Sequence, residues 1–215
     1  MLPEPYEFPA SAYVRRHGPT GLPYSKYKDW VRDEFQFRCV YCLHRERWVK
    51  DGWRDFQLDH VVPRKMAPAR VDEYTNLVYS CPSCNLTKGV HLVPDPCAQA
   101  YGDLILFEPD GKVKALNKQG EECIELLGLD APHLEKFRRG ILRRYLWVTE
   151  ILEITGDDFE SLEDQELKDE ILDLLGYPLE LPHLNRKSHK FSTRPGSEND
   201  CYAAKLGRKE INPYY

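Results

Sequence analysis

Two Cys-x-x-Cys pairs, Cys39-Val40-Tyr41-Cys42 and Cys81-Pro82-Ser83-Cys84, constrain this chain more than any other feature. Four thiolates on two tight knuckles suit tetrahedral Zn²⁺, and the backbone N–H groups of each knuckle help to stabilise the sulfur charge. The N-terminal stretch carries no apolar run of the kind that directs export, so the spacing points to a metal rather than to disulfides. The knuckles are too far apart for a simple zinc ribbon, and everything from Leu43 to Ser80 is inserted between them. Sulfur fills all four positions, so this zinc is structural and a catalytic ion must sit elsewhere. The other three cysteines, Cys97, Cys123 and Cys201, read as small buried hydrophobes.

Charge divides along the chain. Residues 1–93 hold 14 Lys and Arg against 11 Asp and Glu, a net +3, whereas residues 94–215 hold 16 against 24, a net −8. The part with the knuckles therefore permits phosphate contact and the rest is acidic. No run of apolar residues is long enough to span a bilayer, and a cytoplasmic protein without membrane contact is expected.

Composition shifts predict three parts: an irregular arm over 1–24, a module over 25–93 and an accessory lobe over 94–215. The arm is rich in proline, with Arg15, Arg16 and His17 at its centre, and orders only by packing on something. A short helix follows, capped by Ser25, with Trp30 and Phe35 or Phe37 facing inward. β-prone runs on both sides of Asp51-Gly52, between Arg47 and Val62, predict a hairpin with a type I′ turn. Asn85 to Lys88 reads as a helical turn ended by Gly89. Residues 104–116 predict a second hairpin around Pro109-Asp110-Gly111.

From Pro132 to about Thr155, Leu134, Phe137, Ile141, Tyr145, Val148 and Leu152 form one helical stripe. Lys136, Arg138, Arg139, Arg143 and Arg144 decorate the remainder of that helix. An acidic helix is expected over 160–175, stopped by Gly176-Tyr177-Pro178, and a basic stretch runs over Asn185–Arg194.

Within and just after the insert lie Leu58-Asp59-His60-Val61-Val62-Pro63, Asn76-Leu77 and Cys84-Asn85-Leu86-Thr87-Lys88-Gly89. Taken singly, each residue has an ordinary reading: Asp59 as a strand-end cap, His60 as a buried core histidine, Asn76 and Asn85 as turn residues. Taken together and in this order, residues 39–89 resemble the HNH, or ββα-metal, endonuclease family in its zinc-knuckle form. That resemblance implies an α+β fold: a small ββα-metal module on a four-cysteine zinc frame, followed by a mainly helical lobe.

It also implies site roles. Asp59 and Asn85 would ligate a divalent ion, His60 would act as general base on water, and Asn76 would hold the histidine-bearing loop. The third position is Asn85 where the name-giving pattern has histidine, and its amide oxygen favours Mg²⁺ or Mn²⁺ over softer ions. Arg64, Lys65 and Lys88 are candidates for phosphate contact. His44 and His91 are expected to support the site or lie on the surface.

Hydrolysis of DNA to a 5′-phosphate and a 3′-hydroxyl is the activity the resemblance implies, with RNA as the other substrate class. The competing reading is a zinc-stabilised nucleic-acid-binding or partner-interaction module without catalysis. Residues 94–140 more loosely resemble HNH proteins that accompany ATPase subunits in bacterial anti-phage systems, some of them retron-linked. The shared features are an Asp-Pro, the Pro-Asp-Gly hairpin and Leu127-Gly128-Leu129-Asp130 ahead of an arginine-bearing helix. Oligomeric state and sequence preference have no signature in the chain.

Overall fold

A computed structural model describes residues 4–13, 21–48 and 52–156, together with 159, 162 and 171. The arginines of the arm (Arg15 and Arg16), His17, Asp51, Cys201, the expected acidic helix over 160–175 and the basic stretch after it lie outside the described residues.

The fold is α+β. A 3₁₀ turn at Tyr24–Lys26 leads into helix α1 (Lys28–Glu34), and a single helical turn, α2 (Gly52–Asp55), precedes strand β1 (Gln57–His60). Strand β2 (Leu77–Ser80) then runs into helix α3 (Pro82–Lys88). The accessory part has strands β3 (Ile105–Phe107) and β4 (Val113–Ala115) and helices α4 (Lys118–Leu127) and α5 (Pro132–Thr155). No helix among the described residues is long and apolar enough to cross a membrane.

Residues 49–51 lie outside the described residues, and among the described ones the hairpin expected around Asp51-Gly52 is not found. β1 pairs antiparallel with β2, Asp59 opposite Val78 and His60 opposite Leu77. Residues 46–48 form a 3₁₀ turn and Gly52–Asp55 a helical one, so neither supplies a strand. Trp48 packs on Tyr6, His44 and Phe137 instead of facing a cross-strand partner. Ser25 is not the cap of α1: it sits in the preceding 3₁₀ turn, and the Tyr27 carbonyl accepts the bond from Val31 N–H at 3.0 Å. Of the residues expected inward, Phe35 and Phe37 are buried and Trp30 is half-buried.

The module's core gathers Val31 and Phe35 of α1, Phe56, and Leu77, Val78 and Tyr79 of β2. Each such side chain contributes about 1.5–3 kcal/mol when fully buried. A polar pin crosses it: Arg32 donates to both carboxylate oxygens of Glu46, and Tyr79 Oη donates to the same group at 2.7 Å. This pin ties α1 to the turn after the first knuckle and to β2.

The second hairpin forms where its sequence predicts, Ile105 opposite Ala115 and Phe107 opposite Val113. Helix α4 is capped at its start by Asn117, whose side chain accepts from Gly120 N–H at 2.9 Å. Its C-cap is Gly128 at φ 60°, where the chain reverses into α5. The stripe on α5 buries Leu134, Ile141, Val148 and Leu152.

Arg138 belongs inside, not among the surface arginines. It is almost wholly buried, donates to the carbonyls of Gly111 (2.7 Å) and Leu129 (2.8 Å), and lies over the Phe107 ring. It thereby joins the hairpin turn, the α4–α5 turn and α5. The N-terminal arm joins the two parts as well: Tyr6 and Phe8 pack on Phe107, and Tyr13 packs on Phe35 and donates its N–H to the Pro96 carbonyl.

Candidate active site and metal centre

The first knuckle turns on itself because Leu43 adopts a left-handed conformation at φ 58°, with its N–H on the Cys39 carbonyl and Cys39 N–H on the His44 carbonyl. The second knuckle is the N-terminus of α3, where Cys81 Sγ accepts from Cys84 N–H at 3.4 Å and Pro82 opens the helix. The bond from Val40 N–H to the Tyr79 carbonyl (2.9 Å) and the turn from β2 into α3 bring the knuckles together. The four sulfurs lie within 4.8 Å of one another and all four residues are buried.

The chemistry of this donor set fits a metal. Burial, then the neighbouring thiols, push Cys42 up, and those thiols push Cys84 up as well. Against the burial that would raise it, Cys39 is held well below the usual thiol value by hydrogen bonds from Cys42, Cys81 and Cys84. A cation lets all four ionise, and tetrahedral sulfur is the zinc arrangement.

A cleft of about 440 Å³ opens beside this frame, and its walls include Gln57, Asp59, His60, Arg64, Lys65 and Asn85. Strand alternation puts Gln57 and Asp59 on one face of β1 and His60 on the other. The His60 ring lies with Nε2 3.0 Å from the Val71 carbonyl. A carbonyl only accepts, so Nε2 carries the proton and Nδ1 holds the lone pair. Burial lowers the His60 pKa against the raising effect of that hydrogen bond, which favours the neutral ring.

Asn76 is buried and closes the loop between the strands. Its Oδ1 accepts from Val62 N–H (2.8 Å), and its Nδ2 donates to the carbonyls of Val62 (3.1 Å) and Arg70 (3.2 Å). Asn85, on α3, donates from Nδ2 to Gln57 Oε1 at 2.6 Å. That fixes the amide so that its carbonyl oxygen, the hard donor, has no hydrogen-bond partner among the described residues.

Asp59 accepts from Tyr41 Oη at 2.6 Å and from Lys88 Nζ at 3.1 and 3.2 Å, one contact to each oxygen. A carboxylate offers about four lone-pair sites, so one remains after these three contacts. The oxygens of Asp59 and Asn85 thus suit a hard divalent cation.

Lys88 corrects an expectation. It has no exposed surface, and its ammonium bonds Asp59 and the His60 carbonyl (2.8 Å), so it offers no charge to a phosphate. Arg64 and Lys65 do face the cleft. His44 is buried against Phe137, where loss of solvent takes its pKa to about 4, and His91 is exposed. Tyr24, Tyr41, Gln57 and Val71 escaped the sequence reading. Gln57 had a signal, two residues before Asp59 on the same strand face, whereas a backbone carbonyl such as that of Val71 leaves none.

With this geometry in place, comparison with known proteins is direct: residues 39–91 match the HNH endonuclease family. This segment resembles an HNH module. The match spans both knuckles, both strands, α3 and the asparagines, and the accessory hairpin and helices follow the HNH module in the chain. Beyond it, the chain is 26% identical over 132 residues to the Septu protein PtuB of Bacillus thuringiensis, an alignment covering 60% of this chain and 49% of that protein. The chain therefore spans about half the length of the curated relative it matches.

Proposed function

We propose that the chain is a metal-dependent HNH endonuclease that hydrolyses phosphodiester bonds in DNA and works as the nuclease subunit of a bacterial antiviral system. The observation that carries this reading is the meeting of His60, Asp59 and Asn85 in one cleft with Arg64 and Lys65 at its wall. Asp59 and Asn85 would hold Mg²⁺ or Mn²⁺, which when bound supplies positive charge to the phosphoryl and leaving oxygens.

The protein's own part follows from its geometry. His60 Nδ1 takes a proton from water as the water oxygen bonds to phosphorus. The bond from phosphorus to the 3′ oxygen breaks, that oxygen takes a proton from solvent, and a 5′-phosphate and a 3′-hydroxyl result. The Val71 carbonyl keeps the imidazole in the tautomer that can accept. Asn76 fixes the loop that presents Val71, and Arg64 and Lys65 attract the backbone phosphates. The likeness to a Septu protein supports the defence setting, and the acidic sequence of residues 94–215, set against the basic one of residues 1–93, is the feature an ATPase subunit would distinguish.

One observation favours the alternative of a binding module without catalysis: Lys88 already neutralises Asp59. Cleavage of supercoiled plasmid by the purified protein, with Mg²⁺, with Mn²⁺ and with EDTA, beside His60→Ala, separates the two. A divalent-dependent cut that His60→Ala abolishes at unchanged zinc content supports the nuclease. If binding of DNA persists without any cut, even when the product of a neighbouring ATPase gene is added, the binding module is the better account.

A further inference from the structure

Tyr24 lies outside the HNH match, yet it lines the same cleft as His60. Its ring meets the His60 imidazole edge to face, with centroids 5.2 Å apart and planes at 65°. Its hydroxyl accepts from Arg64 Nη1 at 3.5 Å, and the Arg64 guanidinium lies 5.7 Å from the same ring. One residue thus touches both the group that would take the proton and a group that would meet phosphate.

Tyr24 is itself held in place. Its N–H donates to Asp72 Oδ1 at 2.8 Å. Three residues on, Tyr27 is buried edge to face against Tyr74, and its hydroxyl accepts from Leu22 N–H at 3.0 Å. The loop that receives these contacts also holds His60: Val71 takes the imidazole N–H, Asp72 takes the Tyr24 N–H and Arg70 takes the Asn76 amide. The imidazole is therefore fixed along its edge by Val71 and across its face by Tyr24.

We propose that Tyr24 is a positioning residue that holds His60 and Arg64 in their working orientation, so that the segment before the first knuckle is a functional part of the site. Edge-to-face packing restricts rotation of the imidazole about its side-chain bonds and keeps Nδ1 directed at the cleft. The hydroxyl serves Arg64, the ring serves His60, and substitution separates the two roles. The proposal rests on the nuclease reading for its kinetic consequence but not for the contact itself.

The test uses the full chain with Tyr24→Leu and Tyr24→Phe, each checked for zinc content and melting temperature. Tyr24→Leu is expected to lower kcat by about 10- to 100-fold, the scale of a misoriented catalytic group. Tyr24→Phe is expected to restore kcat to within about threefold while KM stays raised, since only the weak bond from Arg64 is lost. In parallel, NMR of the histidine-labelled protein reads His60 directly. Loss of the ring should shift the His60 carbon-bound proton resonances, and Phe should bring them back.

Unshifted His60 resonances in Tyr24→Leu, or a kcat equal to that of wild type at unchanged zinc, would overturn the proposal. If the wild type does not cut even with the neighbouring ATPase gene's product added, the nuclease reading fails, and the imidazole resonances still decide whether Tyr24 holds His60.

Discussion

Lys88 carries its charge inward, and that placement decides what its loss would do. The ammonium is fully buried against Asp59 and the His60 carbonyl, so Lys88→Met would leave a buried carboxylate with Tyr41 as its remaining partner among the described residues. Breaking one side of a buried pair costs about 3–5 kcal/mol. Urea unfolding should show that loss, whereas a lysine that only met phosphate would leave stability unchanged. At this scale the sequence was most legible where chemistry demands a residue type: the four cysteines, whose sulfurs meet, and Asp59, His60 and Asn85, which line one cleft. It was least legible for partners distant in sequence and close in space. Lys88 and Asp59 are 29 residues apart, and nothing in Asn-Leu-Thr-Lys tells a lysine that reaches phosphate from one that folds back on the strand.

The helices and hairpins divide in the same way. Helix α5 was readable because a single apolar stripe fixes both its phase and its extent. The hairpin around Asp51-Gly52 is not found among the described residues because turn propensity is local, whereas β1 pairs with β2, the strand that Val40 ties to the first knuckle and that runs into the second. Arg138 was misplaced because a long stem with a planar head can be buried when carbonyls wait at its tip, here those of Gly111 and Leu129.

Two helical glycines give a matched test of packing against propensity. A Cβ at Gly120 would lie 2.0 Å from the Leu104 carbonyl oxygen, so α4 lies directly against the backbone that leads into β3. Gly120→Ala should therefore destabilise the protein, by about 1–3 kcal/mol as overpacking does. Gly140, in α5, has nothing within 4 Å of an added Cβ, and Gly140→Ala should stabilise by about 0.5–1 kcal/mol. Thermal melts of the two variants should move in opposite directions. Equal shifts would mean that α4 can slide off the hairpin without cost.

For the molecule as a whole, the four-cysteine cluster is the point on which the HNH module depends. Structural zinc contributes about 10 kcal/mol or more to folding in small domains. Removal of the metal with a strong chelator is therefore expected to abolish the near-ultraviolet circular dichroism of the tyrosines and tryptophans packed around the knuckles. Cys84→Ser should behave in the same way. Retention of the native signal after complete zinc loss would show that the aromatic core, with the arm residues Tyr6, Phe8 and Tyr13 packed onto it, suffices by itself.

The metal cluster also acts as a buckle. By holding Cys42 against Cys81, it makes a closed ring of the chain between them, and Asp59, His60 and Asn76 all ride on that ring. The cost of closing a ring grows slowly with its length, by about 0.6 kcal/mol for each doubling. The stretch from Arg64 to Pro68 can therefore lengthen or shorten without loosening the clasp, provided Arg70, Val71 and Asp72 keep their bonds to Asn76, His60 and Tyr24. Such a ring would let the cleft around His60 be retained while the loop at its wall is exchanged for another.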